Sequence, residues 1–413
     1  MITTAVAVTF ALLSFLVGCV WVFVSADLFV RYFYEARMVA LTHLFTLGWV
    51  SLMIVGVLRQ LAPVAFGLKL RRPNLIGIGV VLWIAGVIAM IAGFATLAYV
   101  VAAIGTTLLL VAVITIVTVL LFGFGGVRRD TAHSHLLSAL LYFVAAASIG
   151  AWMGLAKGFD LPLPTVFHRV LFAHIYLAGA GWAGMMILAV LSRLFPQPHL
   201  RQPLQSKIRF AAFHTGLIGL STGLLTTGDW YGFFGAILAV ACMWYAISFI
   251  PVLREFAQPS DRSTYFLVSS FGCLLLVAII GLWMSLMPAV RTVVGIQLQF
   301  VYGFVYMFGW LSLMILGMLY RIIPTHISKL LSARGTAAPA TMRRAFVDPR
   351  LQVAVLILLL LGLAVSSAGI LRQDVNLFRL GWGTWTAGIG GFVAGLARLG
   401  IAVRRILSTG MRS

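Results

Sequence analysis

Twelve apolar stretches of about twenty residues follow one another along this 413-residue chain. Each is long enough, as a helix, to cross a hydrocarbon layer about 30 Å thick. They run roughly over residues 4–24, 38–61, 75–96, 98–122, 135–156, 168–194, 208–228, 231–250, 264–286, 294–321, 351–371 and 380–403. With 62% hydrophobic residues and 9% charged ones, the chain cannot be a soluble globule of ordinary composition. The expected fold is an all-α integral membrane protein, and its first partner is the lipid bilayer. No Lys or Arg precedes the first stretch, so it reads as a span and not as a cleaved signal peptide.

The net charge of +20 raises the question of a nucleic-acid partner, and the distribution of the charges argues against one. If both termini are cytoplasmic, 22 of the 29 Lys and Arg residues fall on the inner side. Lys69, Arg71, Arg72, Arg128, Arg129, Arg201, Lys207, Arg209, Arg343 and Arg344 are among them. Arg31, Arg37, Lys157, Arg169, Arg291, Arg372 and Arg379 are left outside. Such a bias sets the orientation of membrane proteins, and the basic face suits anionic lipid headgroups.

One short pattern is written three times. Gly48-Trp49 is followed by Leu52-Met53-Ile54, Gly56, Leu58 and Pro63. Gly181-Trp182 is followed by Met185-Met186-Ile187, Leu191, Arg193 and Pro196. Gly309-Trp310 is followed by Leu313-Met314-Ile315, Gly317, Leu319, Arg321 and Pro324. Each proline comes 14 residues after its tryptophan, and the first and third copies agree at 9 of 16 positions. The tryptophans fall on spans 2, 6 and 10. The expected organisation is therefore three pseudo-symmetric four-helix units, at about 1–125, 126–258 and 259–413, in one membrane domain. Twelve-span carriers commonly repeat as two halves of six. Gly allows close helix contact, and Pro is expected to end the helix at the interface. Residues 325–350, basic and Ala-rich, read as a cytoplasmic linker.

Imidazoles in a bilayer are costly without partners and so mark candidate sites. His43 stands near the outer end of span 2. His174 stands near the outer end of span 6, with His168 at its mouth. His133, His135, His199, His214 and His326 fall on the inner side, where His135 and His214 could form an inner site. The H-x-H of His133 and His135 points the two rings to opposite faces of a helix. Isolated histidines on neighbouring helices suit haem, which takes one imidazole per face. Copper or zinc needs several converging ligands. Each histidine also has a bland reading, as a packing group satisfied by a carbonyl. The third copy offers Tyr302 and Gln299 in place of histidine. All nine carboxylates lie at span ends or in loops, which disfavours proton-coupled carriers and pumps. Cys19, Cys242 and Cys273 lie singly in spans and give no disulfide or iron–sulfur motif.

The runs HLFTLGWVSLMIVGVLRQLAP and AHIYLAGAGWAGMMILAVLSRLFP, in a twelve-span frame, resemble subunit I of the haem–copper oxidase superfamily. They look most like its shorter C-type oxidase-like and NnrS-type relatives, the latter linked to nitric oxide response. The resemblance implies a bacterial inner-membrane protein with electron donors or other respiratory subunits as partners. It implies haem b at His43 and a copper-type site drawing on His174, with His168, His214 and His135 as further candidates. Tyr302 and Gln299 become candidate second ligands or pocket residues. Span 10 carries no His and span 7 only one, so full oxygen or nitric oxide reduction is not expected. The expected function is haem binding with electron transfer or handling of a diatomic gas. The alternatives are a cofactor-free scaffold or assembly partner and, more remotely, a transporter.

Overall fold

The computed structural model describes residues 2–30, 35–127, 130–195, 202–226, 228–256, 261–287, 293–332 and 340–410. Among them, twelve helices are long and apolar enough to cross a membrane. They are α1 (Thr3–Val24), α2 (Ala36–Phe66), α3 (Asn74–Ala95), α4 (Tyr99–Phe122), α5 (Thr131–Phe159) and α6 (Phe167–Leu194). Then follow α7 (Pro203–Leu225), α8 (Tyr231–Glu255), α9 (Ser263–Leu286), α10 (Gly295–Ser332), α11 (Pro349–Arg372) and α12 (Val375–Gly410). The protein is an all-α membrane protein, as the length and number of its apolar stretches predict. Helices satisfy their backbone groups internally, which the hydrocarbon layer demands.

Two expectations about helix ends fail. Pro63 and Pro324 do not terminate their helices. α2 continues through Pro63 to a left-handed Gly67 cap, and α10 continues through Pro324 to Ser332. A proline removes one hydrogen bond and can be carried near a helix end where its neighbours compensate. α6 stops at Leu194, and Pro196 lies outside the described residues. The stretch 325–350 is not a simple linker either. It comprises the last turns of α10, a short helix at Ala340–Phe346 and the Asp348-capped start of α11, with 333–339 outside the described residues. Its alanines and long basic side chains are good helix formers, so amphipathic segments win over open coil. His199, Arg31, Arg128, Arg129, Arg201 and Arg291 also lie outside the described residues.

The threefold motif has a structural counterpart that its letters do not announce. In each copy an eight-residue π-helical segment interrupts the α-helix: Leu44–Ser51, Leu177–Gly184 and Val305–Ser312. The Gly-Trp pair occupies its fifth and sixth residues every time. The wider turn shows in the backbone bonds from Leu52 N–H to Leu47 and from Met185 N–H to Ala180. Such segments are rare and concentrate where a helix must place a side chain or backbone group unusually.

The surroundings of the motif recur too. Gly48 is pressed on Ser14 of α1, Gly181 on Tyr142 of α5, and Gly309 on Cys273 of α9; a Cβ at each would come within 3 Å of these side chains. The neighbouring tryptophans meet phenylalanines of the same helices. Trp49 stacks on Phe15 at 4.2 Å, Trp182 on Phe143 at 3.7 Å, and Trp310 lies tilted against Phe271 at 4.7 Å. Lipid tails are as apolar as side chains, so helices gain little from hydrophobicity and must gain from close contact.

By compactness the chain divides into two units. The first contains α1 to α7, the first part of α8 and the end of α9. The second contains the rest of α8 and α9, with α10 to α12 and the short 3₁₀ turn Ala26–Phe29. The first two copies of the motif therefore share a unit, and the third stands in the other. Within the first unit, Trp182 Nε1–H donates to Ser51 Oγ at 3.0 Å and ties α6 to α2. Within the second, α11 and α12 touch backbone to backbone at Gly362, Gly369 and Gly381.

Candidate functional site: a pair of histidines on α2 and α6

His43 is the eighth residue of α2, and His174 is the eighth of α6. At 1.5 Å per residue both rings sit about 10 Å in from the helix start. The two helices run in the same direction, so the rings meet at the same depth. Their centroids are 6.3 Å apart and the ring planes are inclined by 31°.

Each imidazole is held by one nitrogen. His43 Nδ1–H donates to the Val39 carbonyl one turn earlier, at 2.8 Å. His174 Nδ1–H donates across to the Ala146 carbonyl of α5, at 2.9 Å. A carbonyl can only accept, so both rings must carry their proton on Nδ1, and the Nε2 lone pair is left available. Among the described residues neither Nε2 takes a hydrogen bond. A histidine fixed through Nδ1 with a bare Nε2 is the arrangement in which imidazole serves as a metal ligand.

Gly150 makes room for this pair. A Cβ there would stand 2.9 Å from His174 Cε1, with Nδ1 and Nε2 the next nearest atoms, so the Nδ1–Cε1–Nε2 edge of the ring fits beside α5 only because residue 150 has no side chain. Ala146 and Gly150 are one turn apart on that helix and form a cradle, one supplying the acceptor and the other the space. Below the pair lies an aromatic layer that binds α2, α3, α5 and α6 together. Trp83 Nε1–H donates to the Leu47 carbonyl at 3.2 Å, inside the π-helical segment. Trp83 packs on Phe143 at 5.4 Å, and Phe143 stacks on Trp182. Neither Gly150 nor this layer was expected from the sequence. The regular spacing of Ala146, Gly150 and Tyr142 on one face of α5 is the signal that points to it in hindsight.

The other candidates are dispersed. His168 is exposed at the start of α6. His135 uses both nitrogens: Nδ1–H donates to the Thr131 carbonyl at 2.7 Å, and Nε2 accepts from the Tyr245 hydroxyl at 2.9 Å. His214 Nδ1 is hydrogen-bonded to the Tyr142 hydroxyl, while its Nε2 is buried without a hydrogen-bond partner among the described residues. Phe210 packs on both, 5.1 Å from the His135 ring and 4.1 Å from the His214 ring. Gln299 and Tyr302 lie on α10 in the second unit, Gln299 exposed and Tyr302 half-buried. Among the described residues no three His, Cys, Asp or Glu side chains group as a metal cage would require.

His133 belongs to a different assembly, at the end of the first unit where α5 begins. Asp130 caps α5 through the His133 N–H at 3.1 Å. Its carboxylate also receives Arg193 of α6 at 2.8 Å, and His133 Nε2–H donates to the Phe66 carbonyl of α2 at 2.8 Å. Burial pushes the Asp130 carboxyl up, but the His133 N–H, the Arg193 guanidinium and the His133 ring outweigh it and hold the carboxyl below its ordinary value. The third copy repeats the theme. Arg321 donates to Ser263 Oγ at 2.9 Å and to Thr264 Oγ1, beside Asp261 at the start of α9. Arg193 and Arg321 each follow their tryptophan by 11 residues, so they hold equivalent places in the repeat.

No known protein family matches the sequence, and no curated protein is similar to it. The site therefore rests on its own geometry.

Proposed function

We propose that the protein binds a haem through His43, with His174 as second ligand or as the wall of a gas pocket, and serves electron transfer or the handling of a diatomic gas. The observation that carries this proposal is the facing pair of imidazoles, each anchored at Nδ1 and bare at Nε2. Two imidazoles that each gave one nitrogen to a single metal at about 2 Å would stand roughly 5–6 Å apart between ring centres, depending on the angle at the metal, close to the 6.3 Å seen here. The donor set also favours haem over a bare ion. A haem brings four nitrogens of its own and asks the protein for one or two ligands, whereas zinc or copper held by protein alone needs three or four. When bound, the haem would supply one-electron chemistry or a gas-binding iron. The chain supplies orientation through the Val39 and Ala146 carbonyls.

The test is the absorption spectrum of the purified protein, air-oxidised and then reduced with dithionite, with metal analysis of the same sample. A Soret band and a reduced α band are expected, and carbon monoxide or nitric oxide then probes for an open sixth position. Colourless, metal-free protein from haem-replete cells would sink the proposal. It would favour a second reading, a cofactor-free scaffold, which the His174–Ala146 bond between helices already suits.

The same proposal places the chain in a bacterial inner membrane with both termini cytoplasmic. The lopsided Lys and Arg distribution supports that orientation. A reporter fused in the 325–350 segment should read as cytoplasmic and one fused after Asp160 as external; the reverse result would overturn the orientation.

A further inference from the structure

In the second unit, the end of α12 and the short helix Ala340–Phe346 enclose a half-open cleft of about 510 Å³. Three arginines line it, Arg344 from the short helix and Arg398 and Arg405 from α12. Arg398 and Arg405 are two turns apart and share one face of the helix. The remaining lining is apolar: Met342, Ala345, Ile401, Ala402 and Ile406. No Asp or Glu is among the lining residues. Asp348, the acid nearest to Arg344 in sequence, is turned away to cap α11 through the Arg350 and Leu351 N–H groups. Arg344 and Arg398 make no ion pair or hydrogen bond among the described residues.

The cleft is built, since its walls are fixed. Phe346 is buried against Phe392 at 5.6 Å and Tyr320 at 4.8 Å, which docks the short helix on α12 and α10. α12 has 36 residues, about 54 Å of helix, against a hydrocarbon layer of about 30 Å. The helix is therefore longer than the layer it crosses, and the arginines that cluster towards its C-terminal end, Arg398, Arg404 and Arg405, suit the headgroup side of that layer.

We propose that this cleft is a binding site for the phosphate of an anionic glycerophospholipid. Guanidinium groups match phosphate oxygens bidentately, which an ammonium cannot do. The apolar half of the lining is what separates a lipid from a free anion, because it offers the glycerol and first acyl carbons a dry wall. The site is independent of the histidine pair and of whether haem is bound.

The test uses the full-length protein in a neutral detergent. Short-chain phosphatidylglycerol is titrated and bound lipid read by native mass spectrometry, with zwitterionic phosphatidylcholine, of zero net charge, as the comparison expected to bind more weakly. Retained phosphatidylglycerol is expected, weakened about fivefold for each of Arg344→Gln, Arg398→Gln and Arg405→Gln. The triple variant should lose about a hundredfold, and triple replacement by Lys should keep part of the binding. Arg71→Gln with Arg72→Gln, outside the cleft, should change nothing. Monodisperse elution and an unchanged unfolding temperature show that the variants fold, and the single variants carry the test if the triple does not. Undiminished lipid binding in the folded variants, or equal loss in the Arg71/Arg72 control, would overturn the site. Displacement of the lipid by millimolar inorganic phosphate would overturn the lipid assignment in favour of a free anion.

Discussion

Replacing His43 by alanine is expected to remove most of the haem from the purified protein, while His174→Ala leaves a haem-containing protein with an altered spectrum and freer access for carbon monoxide. The asymmetry follows from how the two rings are held. His43 is anchored within its own helix, one turn from Val39, so its position survives rearrangement of the neighbours. His174 is anchored on another helix and leans on Gly150, so its place depends on how α5 and α6 meet. Without His174, His43 would still hold the haem and leave its other face open to a gas; without His43, the remaining imidazole would be the less firmly placed one. The readout is haem per protein from the pyridine haemochrome, together with the Soret position before and after carbon monoxide. Haem at wild-type stoichiometry in His43→Ala would remove His43 from the ligand set, whatever happens to His174.

The second large effect concerns folding. Gly105→Leu should destabilise the protein by about 3 kcal/mol and prevent accumulation of the folded form at growth temperature. A Cβ at Gly105 meets the backbone of Met90, 2.7 Å from its Cα, and the Gly86 carbonyl oxygen at 2.8 Å. Gly86 answers from α3, where a Cβ would stand 2.9 Å from the Gly105 carbonyl oxygen. No flexible side chain can move aside, so the whole α3–α4 pair must separate. In a bilayer that contact is most of what holds the helices together, because nothing is gained by hiding apolar surface from lipid. Gly272→Leu is the comparison, since nothing lies within 4 Å of a Cβ there. Thermal unfolding in detergent, followed by loss of monodisperse protein, distinguishes them. Equal stability of the two variants would mean that the helices are less tightly bound than this contact implies.

Much of this architecture is written in the chain. Residue type alone located all twelve spans, because the bilayer admits only helices and sets their length. The spacing of Gly-Trp to Pro gave the repeat, and with it the equivalent places of Arg193 and Arg321, but not their partners: Asp130 for the first, Ser263 and Thr264 for the second. His43 and His174 stood out as imidazoles in apolar surroundings. Local rules misjudged the helix ends. Pro63 and Pro324 are carried inside helices, and the basic 325–350 stretch is largely helical where described, because neighbouring contacts override a single residue's preference.

What the sequence alone determined is the class of molecule, the number of its spans and the repeat. The tertiary structure decided which of the seven described histidines meet. His43 and His174 are 131 positions apart and differ in their offset from the tryptophan, so no local pattern pairs them. They face each other because α2 and α6 run the same way, each carries its imidazole at its eighth residue, and Gly150 makes room for one ring beside α5. His135 and His214, just as visible in the sequence, are drawn instead to Tyr245 and Tyr142. A side chain's chemistry is local, but its partner is chosen by packing between helices far apart in the chain.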